Sequence, residues 1–230
     1  MSYDRRDLQP DAAGFVLAGG QSSRMGRDKA LLLLDGRPLL ENAVSILREA
    51  GLPALIAGAS AGGAKSAGWF AGVSAPLASN AQIVLDAEPG LGPLGGIVSA
   101  LVSTSAFYAV FLPVDLPLLP ASLLVYLLRH ARMTGRTVTL PAVGGFAQTF
   151  PAVLKRTALP ALKAELEAGR SGCFSAFQAA AAGTGEPLSV AAAELLAQAG
   201  QASHPEAAPA ARWFLNVNTP ADLRRASARR

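Results

Sequence analysis

The chain has 230 residues, of which 51% are hydrophobic and 16% are charged. This length and composition predict one sizeable domain with a large buried core, and they exclude an intrinsically disordered chain. The formal net charge of +4 is modest, and part of it lies in the final RRASARR without any interleaved aromatic residue, so we expect no nucleic-acid partner.

The numbers of cysteine and histidine residues and the hydropathy of the chain exclude further classes of protein. The single cysteine, Cys173, excludes an internal disulfide, and two distant histidines leave few ligands for zinc. Residues 1–13 form a polar segment without the apolar stretch of a signal peptide, and no uninterrupted apolar run reaches the roughly 18 residues of a membrane span. We therefore expect a cytoplasmic protein with no membrane partner and one domain over residues 14–230.

Short apolar strands alternate with amphipathic helices along the chain. The pattern predicts, in order, strand 14–18, helix 38–51, strand 53–57, strand 82–86, helix 94–104, strand 107–115, helix 121–133, strands 136–140 and 149–154, helices 157–169 and 173–182, strand 212–218, and a helix beginning at Thr219-Pro220. Residues 58–81 and 201–211 are predicted to be surface loops, and 192–200 is ambiguous. This order predicts an α/β fold, with a single-domain, Rossmann-like, doubly wound and mostly parallel sheet flanked by helices and ligands at the carboxyl ends of its strands.

A glycine-anchored loop with three cations follows the first predicted strand, in LAGGQSSRMGRDK (17–29). Gly19 and Gly20 permit positive φ and a close approach of a ligand to the backbone, while Arg24 supplies a multi-donor fork and Lys29 a compact charge. The spacing matches neither GxGxxG nor GxxxxGKS/T, yet exposed amides and cations in such a turn are typical of a polyanion site. A surface turn with solvated cations is the alternative, and it leaves both glycines unexplained.

Two aspartates end predicted strands at the same edge of the sheet. Asp115 ends the most apolar strand, in FLPVDLPLLP, and is the only acidic residue between Glu88 and Glu165. A carboxylate there is costly to bury unless it is paired or binds a cation, so the pattern favours a Mg²⁺ ligand over a side chain that only caps the following turn. Asp86 ends the preceding strand and is followed by four glycines within ten residues, which is typical of backbone that lies close to a ligand.

Four segments resemble the signature motifs of the molybdenum cofactor guanylyltransferases, the MobA-like nucleotidyltransferases. They are LAGGQSSRMGRDKALL, LDAEPGLGPLGGI, FLPVDLPLLP and WFLNVNTPADL, and they occur in the family's order from about residue 14 to residue 225. The resemblance implies transfer of GMP from GTP to the phosphate of molybdopterin, with release of pyrophosphate and with Mg²⁺ as cofactor. It also implies contacts with cofactor-biosynthesis proteins and with acceptor molybdoenzymes.

The resemblance further implies roles for particular residues. The implied GTP contacts are Leu17, Ala18, Gly19, Lys29, Asp86 and Asp115. The implied catalytic residues are Arg24, Lys29 and Asp115, with Asp115 as the Mg²⁺ ligand, and Asn216 and Asn218 are associated with molybdopterin. Because the attacking phosphate is already anionic near neutral pH, no side chain has to act as a base, and we expect catalysis to rest on positioning and charge neutralisation.

One position departs from the family pattern, and alternatives stay open. Ala57 stands where some family members carry an asparagine that touches the nucleotide, so Ala57 is not assigned to the site. A molybdopterin cytidylyltransferase is the nearest alternative, although LAGG rather than LAAG and the GPLGG segment favour guanine. Another small-molecule nucleotidyltransferase and a non-catalytic nucleotide-binding protein are the others, and the presence of Lys29 and Asp115 argues against the last.

Overall fold

The structure of the chain is a computed structural model that describes residues 11–18, 28–59, 82–86 and 90–228. The described strands are β1 (Ala12–Leu17), β2 (Leu33–Leu34), β3 (Arg37–Pro38), β4 (Ala54–Ala59), β5 (Gln82–Leu85), β6 (Tyr108–Pro113), β7 (Val138–Val143), β8 (Phe146–Ala147), β9 (Ala152–Lys155) and β10 (Ser189–Ala192). The described helices are α1 (Leu39–Glu49), α2 (Gly92–Ser103), α3 (Ala121–Thr134), α4 (Leu159–Glu167), α5 (Cys173–Gly183), α6 (Ala193–Gln198), α7 (Ala210–Trp213) and α8 (Pro220–Ser227). None of these described helices is long and apolar enough to cross a membrane.

A mixed sheet in the order β10-β7-β9-β6-β1-β4-β5 forms the centre of the fold, with β8 paired to β7. The strands β5, β4, β1 and β6 run parallel, and β9 runs antiparallel between β6 and β7. From β1 the chain adds β4 and β5 on one side and then returns to place β6 on the other side of β1. This reversal creates a crevice at the carboxyl ends of β1 and β6, where open α/β sheets bind ligands.

Helices bury both faces of the central strands. Along β6, Val110 and Leu112 pack into a cluster with α1 and α3, whereas Phe111 packs into a second cluster with α2, α4 and α5. Phe15 of β1 stacks on Phe111 with the ring centroids 5.4 Å apart. Burial on both faces explains why these strands are near-continuous apolar runs, and the predicted doubly wound, mostly parallel α/β sheet is confirmed.

The predicted elements through residue 182 are present, with ends that differ by at most three residues. The ambiguous stretch 192–200 contains the helix α6. The prediction missed β8, the edge strand β10 and the hairpin of β2 and β3, which turns through Asp35 and Gly36 at φ of 49° and 82°. Strands of two residues are too short to show a hydrophobic period, which is why the hairpin gave no signal. Most of the predicted loop 58–81 lies outside the described residues.

The predicted strand at 212–218 is wrong. Trp213 ends the helix α7, and residues 215–218 have no regular secondary structure. The apolar residues Trp213 and Val217 of this segment are nevertheless buried in the core. The Val217 amide, however, donates to the Asp115 carbonyl at 2.9 Å rather than to a neighbouring strand. The apolar residues of this predicted strand therefore pack on the core without joining the sheet.

The first prediction concerns Thr139 of β7, which is fully buried and whose hydroxyl has no hydrogen-bond partner among the described residues. We expect Thr139→Val, which replaces this hydroxyl by a methyl group, to raise the free energy of unfolding by about 1 kcal/mol. Urea denaturation followed by circular dichroism measures the change.

Thr137→Val is the matched control. Thr137 is also buried, but its hydroxyl lies 3.2 Å from Glu186 Oε2 and 3.0 Å from Thr184 Oγ1. This substitution should lower the free energy of unfolding by about 1 kcal/mol. Equal losses at both threonines would contradict the prediction for Thr139.

Candidate active site

The predicted phosphate loop enters the described structure at Asp28. The Asp28 carboxylate caps the 3-10 turn Lys29–Leu31 by accepting a hydrogen bond from the Ala30 amide at 3.0 Å, and Ala30 is fully buried. This cap and this buried side chain fix the backbone from which the Lys29 side chain extends. The remaining loop residues lie outside the described residues, among them Gly19, Gly20 and Arg24, whose predicted roles stay predictions.

The Lys29 ammonium lies between two oxygen acceptors that are distant in sequence. Its Nζ atom is 2.7 Å from Asp115 Oδ2 and 2.5 Å from Asn218 Oδ1. The side chains of Lys29 and Asp115 are each 23% exposed, so the ion pair is partly shielded from water. The structure therefore brings the residue assigned to the phosphates into direct contact with the residue assigned to the metal ion.

Asp115 lies two residues beyond the end of β6, at the crevice between β1 and β6. The backbone around it is fixed on both sides, because the Val114 amide donates to the Leu17 carbonyl at 3.3 Å and the Asp115 carbonyl accepts from Val217 at 2.9 Å. Within the described residues, the Asp115 carboxylate bonds Lys29 and no amide of the turn that follows. The turn-capping alternative therefore does not describe this side chain, which pairs with Lys29 instead, and its role as a Mg²⁺ ligand stays a prediction.

A cavity of about 400 Å³ opens beside this ion pair. The predicted residues that line it are Leu17, Ala18, Lys29, Asp115 and Asn216. Sequence reasoning missed several other lining residues, among them Pro93, Gln148, Thr149, Phe150 and Phe214. Phe150 also contacts Phe177 of the core edge to face, with the centroids 6.1 Å apart. An aromatic residue that packs in the core and also lines a cavity cannot be distinguished in the sequence from an ordinary core residue.

Backbone groups at the end of β1 are already engaged. The Ala18 amide donates to the Ala57 carbonyl at 3.0 Å, and the Leu17 carbonyl accepts from Val114. A ligand contact from Ala18 would therefore use its carbonyl or methyl group rather than its amide. Ala57 is fully buried, so its methyl group faces the core and not a ligand.

Asp86 directly follows β5, at the same edge of the sheet but outside the lining of this cavity. Its partial burial removes water from the carboxylate and raises the pKa of Asp86 above the ordinary value. The Oδ1 atom has no hydrogen-bond partner among the described residues. An unsatisfied carboxylate oxygen at the ligand-binding edge is consistent with the predicted nucleotide contact.

The donor set suits a metal ion that is held largely by substrate. In the described part of the chain, no group of three or more His, Cys, Asp and Glu side chains is arranged to hold a metal ion. Mg²⁺ needs fewer protein ligands, because one or two carboxylates together with waters and substrate phosphates complete its octahedron. Asp115 is the acidic side chain among the described lining residues, and its Oδ2 atom is engaged by Lys29. Its other oxygen therefore fits a single contact with a divalent metal ion, the remaining ligands of which would come from substrate and water.

The fold is shared with solved structures of low sequence identity. Molybdopterin-guanine dinucleotide biosynthesis protein A from Archaeoglobus fulgidus aligns with a TM-score of 0.70 at 21% identity, over 94% of this chain and 96% of that chain. A Mycobacterium tuberculosis H37Rv protein crystallised as a complex with manganese aligns with a TM-score of 0.59 at 18% identity, over 94% of this chain and 97% of that chain. At these identities the likeness shows the fold alone.

The chain also resembles curated proteins and a protein family in amino-acid sequence. The chain is 43% identical over 122 residues to the molybdenum cofactor guanylyltransferase of Xanthomonas euvesicatoria pv. vesicatoria, over 53% of this chain and only 56% of that protein. It is 28% identical over 226 residues to the probable molybdenum cofactor guanylyltransferase of Haloferax mediterranei, over 98% of this chain and 97% of that protein. Residues 14–216 match the MobA-like NTP transferase domain, and the chain therefore belongs to the MobA-like NTP transferase family.

Proposed function

We propose that this chain is a molybdenum cofactor guanylyltransferase, which transfers GMP from GTP to the phosphate of molybdopterin and releases pyrophosphate. The observation that carries the proposal is the contact between the Lys29 ammonium and the Asp115 carboxylate at the crevice between β1 and β6. Nucleotidyl transfer needs a cation for the phosphates and a carboxylate for a metal ion close to one point. The names of the curated relatives support guanine as the base and molybdopterin as the acceptor.

In the proposed reaction, an oxygen of the molybdopterin phosphate attacks the α-phosphorus of GTP. The bond from that phosphorus to the bridging oxygen of the β-phosphate breaks, and pyrophosphate leaves with the electron pair. The nucleophile is already anionic, so the main barrier is repulsion among anions rather than removal of a proton. Lys29, together with Arg24, neutralises the charge that builds on the leaving pyrophosphate.

The proposed cofactor is Mg²⁺, held by Asp115 and by the phosphates of GTP. When bound, such an ion supplies positive charge to the triphosphate and orients it. Asp115 is suited to hold it, because backbone hydrogen bonds from Val114 and to Asp115 itself fix this turn at the cavity. The manganese complex of the structurally similar Mycobacterium tuberculosis protein supports a divalent ion in this fold.

The proposed GTP contacts follow the edge of the sheet: Leu17, Ala18, Gly19, Lys29, Asp86 and Asp115. Asp86 has an oxygen free of described partners and accepts a hydrogen bond from the nucleotide in this proposal. Asn216, which lines the cavity, is proposed to contact molybdopterin. Acceptor molybdoenzymes and cofactor-biosynthesis proteins are the proposed protein partners.

The second prediction tests the choice of base. With Mg²⁺ and molybdopterin present, we expect the purified protein to release pyrophosphate at least about tenfold faster from GTP than from CTP, because guanine and cytosine present different hydrogen-bonding edges. A coupled pyrophosphate assay with each of the four nucleoside triphosphates measures the rates.

Each other outcome of that assay selects an alternative. Faster release from CTP would replace the proposal by a molybdopterin cytidylyltransferase. Release that appears only when the assay is repeated with another phosphate monoester in place of molybdopterin would indicate another small-molecule nucleotidyltransferase. Nucleotide binding without turnover, under any of these conditions, would indicate a non-catalytic nucleotide-binding protein.

The third prediction concerns Asp115→Asn, which keeps the size of the side chain but removes its charge. We expect kcat to fall by at least about 100-fold, because the cavity loses its fixed anionic ligand. The fold should persist, since a partly exposed ion pair contributes only about 0–1 kcal/mol to stability. Steady-state kinetics and thermal unfolding separate the two effects.

Glu165→Gln is the matched control for charge removal. Glu165 forms an ion pair with Arg170 at 2.7 Å, outside the cavity lining, so its variant should retain the parent rate. If Asp115→Asn instead melted earlier and kept its activity per folded molecule, Asp115 would be a structural turn residue.

The fourth prediction uses the raised pKa of Asp86. Because burial raises this pKa above 3.8, the folded state binds the proton more tightly than the unfolded chain, and the ionised carboxylate lowers stability at neutral pH. We expect Asp86→Asn to unfold at a higher temperature than the parent protein at pH 7, and the difference to shrink as the pH falls towards 4. The KM for GTP should rise about tenfold, because a hydrogen bond to a charged acceptor is lost.

Calorimetry across this pH range and steady-state kinetics measure the two effects of Asp86→Asn. A lower unfolding temperature at pH 7 would mean that the Asp86 carboxylate is satisfied in the folded protein. An unchanged KM for GTP would remove Asp86 from the proposed nucleotide site.

A further inference from the structure

We infer that Asn218 is a positioning residue for Lys29, fixed in turn by Asp222. The inference rests on the proposed function, in which Lys29 acts on the phosphates of GTP. It differs from the role that the sequence predicts for Asn218, which is a contact with molybdopterin. The described contact of the Asn218 side chain is with the Lys29 ammonium, at 2.5 Å.

A lysine side chain needs such a contact to hold one position. Lysine has a flexible four-carbon stem, so its ammonium does not stay at one point without acceptors on more than one side. Asp115 Oδ2 at 2.7 Å and Asn218 Oδ1 at 2.5 Å supply two acceptors from different parts of the chain. Together they fix the Lys29 ammonium beside the cavity.

The backbone of Asn218 is itself fixed from both sides. On one side, Val217 is fully buried and its amide donates to the Asp115 carbonyl at 2.9 Å. On the other side, Asp222 Oδ2 accepts from the amides of Asn218 and Thr219 at 3.1 and 2.9 Å. Thr219 and Asp222 form a capping box at the start of α8, so the first turn of this helix holds the asparagine in place.

An uncharged acceptor suits this role better than a carboxylate. Asp115 already supplies one negative charge to the Lys29 ammonium. A second carboxylate would bind the ammonium more strongly and oppose the approach of a triphosphate, whereas an amide oxygen orients the ammonium without adding charge. The choice of asparagine therefore leaves the positive charge of Lys29 available to an anionic substrate.

The fifth prediction is tested first without any turnover, by nuclear magnetic resonance of the lysine ammonium groups. The chain has only four lysines, Lys29, Lys65, Lys155 and Lys163, so the spectrum of full-length protein labelled with ¹⁵N-lysine is simple. Loss of one signal in Lys29→Arg assigns Lys29. We expect Asn218→Ala to speed the exchange of the Lys29 ammonium protons with water by at least about threefold, because one of two acceptors is lost.

Two further variants make this measurement specific. Asn216→Ala removes a neighbouring asparagine that lines the cavity, and it should leave the Lys29 signal unchanged. Asp222→Ala releases the backbone of Asn218 and should speed exchange, though less than Asn218→Ala does. An unchanged Lys29 signal in Asn218→Ala, in a variant that retains the parent circular dichroism spectrum, would overturn the inference.

Kinetics then separate positioning of Lys29 from binding of the acceptor. We expect Asn218→Ala to lower kcat/KM for GTP by about tenfold, with little further loss when the substitution is added to Lys29→Ala. A rise in the KM for molybdopterin alone, or full additivity with Lys29→Ala, would overturn the inference. If the parent protein transfers no GMP, the proposed function fails, and the Lys29 resonance still decides whether Asn218 positions this lysine.

Discussion

The contact of the Lys29 ammonium with Asp115 joins parts of the chain that are 86 residues apart, and the contact with Asn218 spans 189 residues. The ion pair of Lys29 and Asp115 contributes little to stability, because its side chains are each 23% exposed and water screens their charges. What matters for the site is that these contacts hold the three side chains at fixed positions, and the rest of the fold places the three residues close enough to make them. Three separate segments have to meet within hydrogen-bond distance at the crevice between β1 and β6.

The sheet supplies most of this precision. Residues such as Phe15 and Phe111 are fully buried, and their stacked rings belong to adjacent parallel strands that end at the same edge. Interiors packed in this way move little, so the backbone positions at the ends of β1 and β6 are well defined. Hydrogen bonds across these ends, from Val114 to Leu17 and from Val217 to Asp115, extend the rigid part of the fold to the polar residues.

Much of this arrangement was predictable from the sequence, and the limits have physical causes. Strands buried on both faces are apolar runs, so the central sheet and the isolated Asp115 gave clear signals. The segment around Val217 is apolar like a strand because Trp213 and Val217 pack on the core, and only the structure shows that the Val217 amide bonds the Asp115 carbonyl. The partner of Asn218 could not be found from local pattern at all, since Lys29 is remote in sequence and no period connects the two.

The two aspartates at the edge of the sheet differ in a way that bears on how the proposed enzyme binds GTP. Asp115 is already paired with Lys29, so a nucleotide that draws the ammonium towards its phosphates exchanges one partner for another and gains little net energy. The Asp86 Oδ1 atom has no hydrogen-bond partner within the described part of the chain, and burial raises the pKa of Asp86, so a hydrogen-bond donor from the nucleotide removes a cost that the free protein bears. In the proposed enzyme, Asp86 thus increases the affinity for the nucleotide. The charges of Lys29 and Asp115 act mainly in the transition state, where bonds to phosphorus form and break.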